Sequence, residues 1–87
     1  MNFEFDENKS SANQLKHVID FIEAQQLWND INRVIIPTNS VDEIRFILVA
    51  TFENSIWSAI YTIRNQNIRI ISVRKARDNE KEIYYSI

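Results

Sequence analysis

Residues 43–75 read EIRFILVATF-ENS-IWSAIYTIR-NQN-IRIISVRK. Three runs rich in β-branched and aromatic residues, about 43–52, 56–64 and 68–75, are separated by Glu53-Asn54-Ser55 and Asn65-Gln66-Asn67. Runs of this kind predict strands, and connectors this short predict antiparallel hairpins. The chain has no glycine. Turns that need a positive φ must then use Asn or Asp, which tolerate that region at modest cost. Asn39, Asn54, Asn65 and Asn67 stand where turns are wanted.

Working upstream, Arg33–Ile36 is a short β-branched run ended by Pro37, and residues 38–42 form a polar loop. Asp20-Phe21-Ile22-Glu23 is a capping box, with Ile19 placed to staple onto Ala24. It predicts a helix over about 21–30 with Phe21, Ala24, Leu27, Trp28 and Ile31 facing the core. A first helix over 7–16, with Asp6 as its N-cap, carries only Ala12 and Leu15 as apolar residues and should lie on the surface. Asn2-Phe3-Glu4-Phe5 alternates as a short strand does. Downstream, Arg77–Ser86 predicts a terminal helix, with Asp78 near its start. The order β-α-α-β-β-β-β-α predicts an α+β fold: an antiparallel sheet of about four strands with helices packed on one face. Residues 1–87 read as one domain, without repeat or linker.

The composition narrows the chemistry. With no Cys and one His, disulfides, thiolate metal sites and a zinc centre are set aside. Without glycine there is neither a phosphate-cradling loop nor a nucleophile elbow. The acids Glu4, Asp6 and Glu7 cluster where a helix N-terminus attracts acids anyway. The opening residues have neither the basic start nor the apolar stretch of a signal peptide, and no apolar run is long enough to span a membrane, so a cytoplasmic protein is expected. The net charge of −2 is unevenly spread. Residues 1–43 carry three cations against eight acids, a balance of −5; residues 44–87 carry seven against four, +3. The split fits one basic surface on an acidic body, or ordinary solvated charge.

Arginines on strands and a single histidine remain. Arginine holds phosphate bidentately and stays charged while doing so. RNA brings its own nucleophile, the 2′-hydroxyl, so cleavage needs a proton acceptor, a stabiliser of the phosphorane and a proton donor, and no metal. Arg74 ends the last strand near the terminal helix, and Arg64 ends the strand before it. Arg69 and Arg74 differ by an odd number and fall on opposite faces of a regular strand. His17, at the junction of the first two helices, suits proton transfer near neutral pH or caps the helix's free carbonyls. Any single arginine can equally be half of a surface ion pair.

The chain resembles the BrnT family of bacterial toxins. The resemblance is carried by Phe3-Glu4-Phe5-Asp6, Lys9, Asn13, Lys16-His17, Phe21 and Ala24. It continues in Glu43-Ile44-Arg45-Phe46, in Tyr61-Thr62-Ile63-Arg64, in Ile68-Arg69-Ile70-Ile71-Ser72-Val73-Arg74-Lys75-Ala76, and through Glu80 to Tyr84. Each piece is short; together, in order, they cover nearly the whole chain. Val18 and Ala50 stand where the family often has glycine. Arg77 stands where it has a capping Thr or Ser, so the capping box with Glu80 is expected to be lost and Asp78 to cap instead.

The resemblance implies a RelE-like fold and a cofactor-free endoribonuclease that blocks translation by cutting RNA. It also implies neutralisation by a BrnA-type antitoxin in a hetero-oligomer, with operator DNA bound only through the antitoxin and no membrane role. On this reading Arg64 and Arg74 hold phosphate, His17 or Glu80 moves protons, Tyr84 stacks on a base or orients a partner, and Lys16, Arg69, Lys75 and Arg77 bind the substrate. The competing reading is a binding module for RNA or protein on the same scaffold, supported by the acidic balance. The nuclease reading requires the strand guanidinium groups to gather at one patch, free of carboxylate partners.

Overall fold

The 3.0-residue turn of a 3₁₀ helix puts residues three apart on one line. Phe21, Ala24 and Leu27 have that spacing, and all three are buried in the computed structural model, which describes residues 2–39 and 41–86. Accordingly Glu23–Asn29 is a 3₁₀ helix and not the α-helix expected over 21–30. Ile31, expected in the core, lies beyond its end and is 88% exposed. The capping box is present. Asp20 Oδ1 accepts from the Glu23 amide at 2.7 Å, and Glu23 Oε1 accepts from the Asp20 amide at 3.3 Å.

The other elements are β1 (Phe3–Glu4), α1 (Glu7–His17), β2 (Val34–Pro37), β3 (Arg45–Phe52), β4 (Ser55–Arg64), β5 (Asn67–Lys75) and α2 (Asp78–Tyr85). Pro37 closes β2 from within, as an edge strand allows. Ser40, inside the expected 38–42 loop, lies outside the described residues. Among the described residues the sheet has five strands in the order β1-β5-β4-β3-β2. The expectation of about four antiparallel strands is therefore corrected. The meander returns β5 to the chain's start, where β1 pairs with it in parallel, Phe3 opposite Ile68 and Glu4 opposite Arg69, making the sheet mixed.

The expectation of helices on one face is corrected as well. The front face carries Leu48, Ala50, Trp57, Ala59, Tyr61, Ile68, Ile70 and Val73 against Ile19, Phe21, Ala24 and Leu27. Burying each large apolar side chain contributes roughly 1.5–3 kcal/mol. A chain of rings, Phe3–Trp28–Tyr61–Phe46, with centroids 5.0–5.3 Å apart, ties β1, the 3₁₀ helix, β4 and β3 together. On the back face Val49, Ile56 and Ala76 pack with Ile36, Ile47 and Tyr84 of α2.

Both long hairpins close through two residues at positive φ, Glu53-Asn54 and Asn65-Gln66, instead of three-residue turns. Two positive φ values match the twist of a right-handed hairpin. One register shift interrupts β4–β5. Ile60 faces Ser72 while Tyr61 faces Ile70, which leaves Ile71 as an extra residue. This bulge cancels the odd spacing of Arg69 and Arg74. Their cross-strand partners, Thr62 and Ser58, are an even number apart, so both arginines lie on the back face.

As expected, α1 is a surface helix, but its two buried residues are polar. Ser10 Oγ accepts from the Phe21 amide at 2.9 Å. Asn13 donates to the Ile19 carbonyl at 2.9 Å and accepts from the Val73 amide at 3.1 Å, covering a stretch of β5 that β1 leaves open. Asn13→Ala strands both backbone groups and is expected to cost about 2–4 kcal/mol, read as a lower urea midpoint. Val18 closes α1 at φ 64°, a left-handed conformation unfavourable to a β-branched residue. Val18→Gly is expected to stabilise the fold by about 1 kcal/mol and raise Tm by ~4–8 °C, measured by thermal denaturation.

Candidate active site

The back face shows how the strand arginines are held. Glu80, in the first turn of α2, is 4% exposed. Its Oε1 accepts from Arg74 Nη1 at 2.7 Å, from Ser58 Oγ at 2.8 Å and from the Arg77 amide at 2.8 Å, and its Oε2 accepts from Arg74 Nη2 at 3.0 Å. The Arg77 bond is half of a capping box. Arg77 is thus the N-cap in place of Asp78, and the expected loss of the Glu80 arm is corrected: an arginine side chain has no acceptor, but its backbone amide still takes the carboxylate. The Arg74 bonds, with those from Arg77 and Ser58, outweigh burial and hold the Glu80 carboxyl down at about 2. It is a fixed anion at neutral pH that orients Arg74.

Arg64, Arg45 and Arg69 sit at the other end of the same face. Arg64 Nη2 lies 3.2 Å and Arg45 Nε 3.6 Å from Glu43, and Arg69 Nη1 lies 3.0 Å from Glu4. From Ser58, opposite Arg74, to Arg64 is a run of β4 about 20 Å long. The structure therefore does not gather Arg64 and Arg74 at one point, and each of the four is paired with a carboxylate. The pairs differ in strength. Arg64 and Arg45 are half exposed, and such pairs contribute about 0–1 kcal/mol, whereas the bidentate Arg74–Glu80 pair is largely shielded.

Tyr84 is likewise committed. Its hydroxyl donates to Asp30 Oδ2 at 2.6 Å, and that bond, with burial, pushes the phenol up to about 12. Burial works against ionised Asp30, but donors from Tyr84, Thr51 and Asn32 outweigh it and lower its pKa. This contact ties the C-terminal part of α2 to the end of the 3₁₀ helix.

The front face differs. At the end where α1 stops, a cleft of about 290 Å³ is lined by His17, Val18, Ile19, Glu23, Phe52, Glu53, Trp57 and Lys75. Trp57 faces Lys75 across β4 and β5 and forms part of the wall, its indole N–H bonded to the Phe52 carbonyl at 3.3 Å. Lys75 Nζ stands 5.2 Å from the Trp57 ring centroid and 3.2 Å from Ser55 Oγ. On the far side of Lys75 a smaller groove of about 200 Å³ runs past Asn54, Ser55, Ile56, Lys81 and Tyr85. The structure thus brings together His17 and Lys75. It leaves exposed Lys16 next to the cleft in sequence and exposed Arg77 at the start of α2.

Glu23, Phe52, Glu53, Trp57, Lys81 and Tyr85 were not singled out from the sequence as site residues. The signal for Trp57 was the register, since two-residue hairpin loops bring it opposite Lys75 once the bulge is counted. Among the described residues no three His, Asp or Glu side chains converge as a metal site, and no helix is long and apolar enough to cross a membrane.

The model of the family described as ribonuclease toxin, BrnT, of type II toxin-antitoxin system matches residues 5–80. No curated protein matches the chain.

The Glu80 network makes stability pH-dependent. The folded-state pKa is depressed from 4.5 to about 2, so its contribution is present above about 4.5 and is lost as pH falls towards 2. On the order of 3 kcal/mol is at stake. Urea unfolding between pH 5 and pH 2 should show this loss. Glu80→Gln should be destabilised at pH 7 by about 3–5 kcal/mol, because Arg74 keeps its charge without a counter-ion, and its stability should fall less steeply towards acid.

Proposed function

The chain belongs to the BrnT ribonuclease toxins of type II toxin–antitoxin systems, and on that premise we propose a metal-independent endoribonuclease that cuts RNA through its 2′-hydroxyl at the front-face cleft. The family implies an RNA substrate and an antitoxin partner. In the finer reading, cleavage inhibits translation, the partner is a BrnA-type antitoxin that covers the cleft in a hetero-oligomer, and operator DNA is met only through that partner. The RelE-like scaffold belongs to the same proposal, here in a five-stranded mixed form.

The strand arginines do not form the single carboxylate-free patch that the nuclease reading required; the observation that carries the reading instead is that His17 and Lys75 line one open cleft. The imidazole supplies proton transfer, a contribution of about 10²–10⁴ in rate. The Lys75 ammonium, held at the indole of Trp57, stabilises the phosphorane; one good donor at a developing oxyanion contributes about 3–4 kcal/mol. Lys81 and Tyr85 extend the groove on the other side of Lys75, offering a phosphate contact and an exposed ring for the next nucleotide.

Arg64, half exposed on the back face, fits an outlying phosphate contact, exchanging Glu43 for RNA at small cost; Arg69, more shielded with Glu4, fits one at greater cost. Lys16 and Arg77, exposed at the opposite, cleft end of the sheet, offer separate phosphate contacts. Arg74 and Glu80 fit a positioning role that fixes α2 on β4 and β5. Tyr84 fits the same role, its hydroxyl being bound to Asp30.

Purified protein should degrade single-stranded RNA in EDTA and leave 2′,3′-cyclic phosphate ends. Lys75→Ala and His17→Ala should each lower the rate at least tenfold without shifting Tm by more than a few degrees. RNA that is bound but never cut, by protein whose expression does not slow growth, would instead favour the binding-module reading, which the carboxylate pairing of every strand arginine supports.

A further inference from the structure

Proton transfer from a 2′-hydroxyl to a leaving 5′-oxygen needs two groups, an acceptor and a donor, on opposite sides of the phosphorus. The cleft holds four charged or titratable side chains: His17 from the end of α1, Glu23 from the start of the 3₁₀ helix, Glu53 from the β3–β4 turn and Lys75 from β5. Lys75 is a cation and serves the phosphate. Glu23 Oε1 already accepts from the Asp20 amide. Glu53 is exposed and, among the described residues, takes part in no hydrogen bond or ion pair. Glu4, Glu43 and Glu80 each hold an arginine; of Glu7, Glu53 and Glu82, which are exposed and without such a partner among the described residues, Glu53 is the one that lines the cleft.

The turn does not account for a glutamate there either. Glu53 has φ 49°, in the left-handed region that Asn occupies more readily. Val18 and Gln66 also take positive φ in this glycine-free chain, so what sets Glu53 apart is its place in the cleft lining.

We propose that Glu53 is the general base of RNA cleavage and His17 the general acid, both lining the cleft with Lys75. The assignment rests on the cleavage reading given above. The Glu53 carboxylate takes the 2′-hydroxyl proton while the O2′–P bond forms. The P–O5′ bond breaks, and protonated His17 gives its proton to O5′. The products are a 2′,3′-cyclic phosphate and a 5′-hydroxyl. Exchange with water returns both groups to their starting states, so no co-reactant is consumed.

Two substrates separate the roles. A dinucleotide requires a proton at its leaving oxygen, and a nucleoside 3′-(4-nitrophenyl phosphate) does not. Glu53→Gln is expected to lower kcat on both by about a hundredfold, with little change in KM. His17→Ala is expected to lower kcat on the dinucleotide by a similar factor and to spare the aryl ester. Glu53→Asn, which suits the turn, should be as inactive as Glu53→Gln while melting no lower than the wild type, so lost activity cannot be attributed to lost structure.

A Glu53→Gln enzyme within threefold of wild type on the dinucleotide overturns the proposal. The reverse pattern, with the aryl ester sensitive to His17 and indifferent to Glu53, overturns the assignment of roles. Wild-type protein that cuts neither substrate nor longer RNA overturns the cleavage reading itself, a result distinct from the other two.

Discussion

The amide side chain of Asn13 is the contact on which the geometry of the cleft depends. Its nitrogen donates to the Ile19 carbonyl and its oxygen accepts from the Val73 amide. One bond fixes how the chain leaves α1, and hence where His17 stands. The other fixes α1 against β5, two residues before Lys75. Both backbone groups are buried, and a buried group without a partner costs about 1–3 kcal/mol, so the arrangement is strongly determined. Ser10 adds a third tether through the Phe21 amide. A helix with almost no apolar face is thereby docked by polar contacts, and its end becomes a wall of the cleft.

Charge is distributed unequally between the two faces. On the back face every strand arginine has a carboxylate: Arg74 has Glu80, Arg64 and Arg45 share Glu43, and Arg69 has Glu4. These pairs tie α2 and β1 to the meander. Glu80 is the extreme case, with a carboxylate that receives bonds from three residues and is locked as an anion. On the front face, among the described residues, Glu53 is uncommitted and Lys75 has a hydroxyl and an indole for company. A group fully satisfied within the protein is well suited to holding structure. A group that must exchange protons or meet a phosphate has to retain unused bonding capacity.

Local patterns that name their own element could be read directly. The strand runs between 43 and 75, the short connectors, the Asp20–Glu23 capping box and the order of elements follow from near-neighbour chemistry and are present in the fold, except that the second helix is 3₁₀ and not α and the hairpin turns have two residues and not three. The family pattern from Phe5 to Glu80 was also legible, because it depends on residue identity and order alone.

Long-range choices were left to the tertiary structure. The pairing of β1 with β5 joins residues more than sixty positions apart, and neither segment carries a mark of the other. The extra residue Ile71 moves Arg69 and Arg74 onto one face, although their spacing in a regular strand puts them on two. Whether an arginine meets substrate or a carboxylate depends on which acid the fold brings near, as Glu4 reaches Arg69. The sequence by itself determined the elements and the family, since those depend on local periodicity and residue identity. Only the tertiary structure decided which charges are spent on one another and which face the cleft, because that is a matter of distance in space.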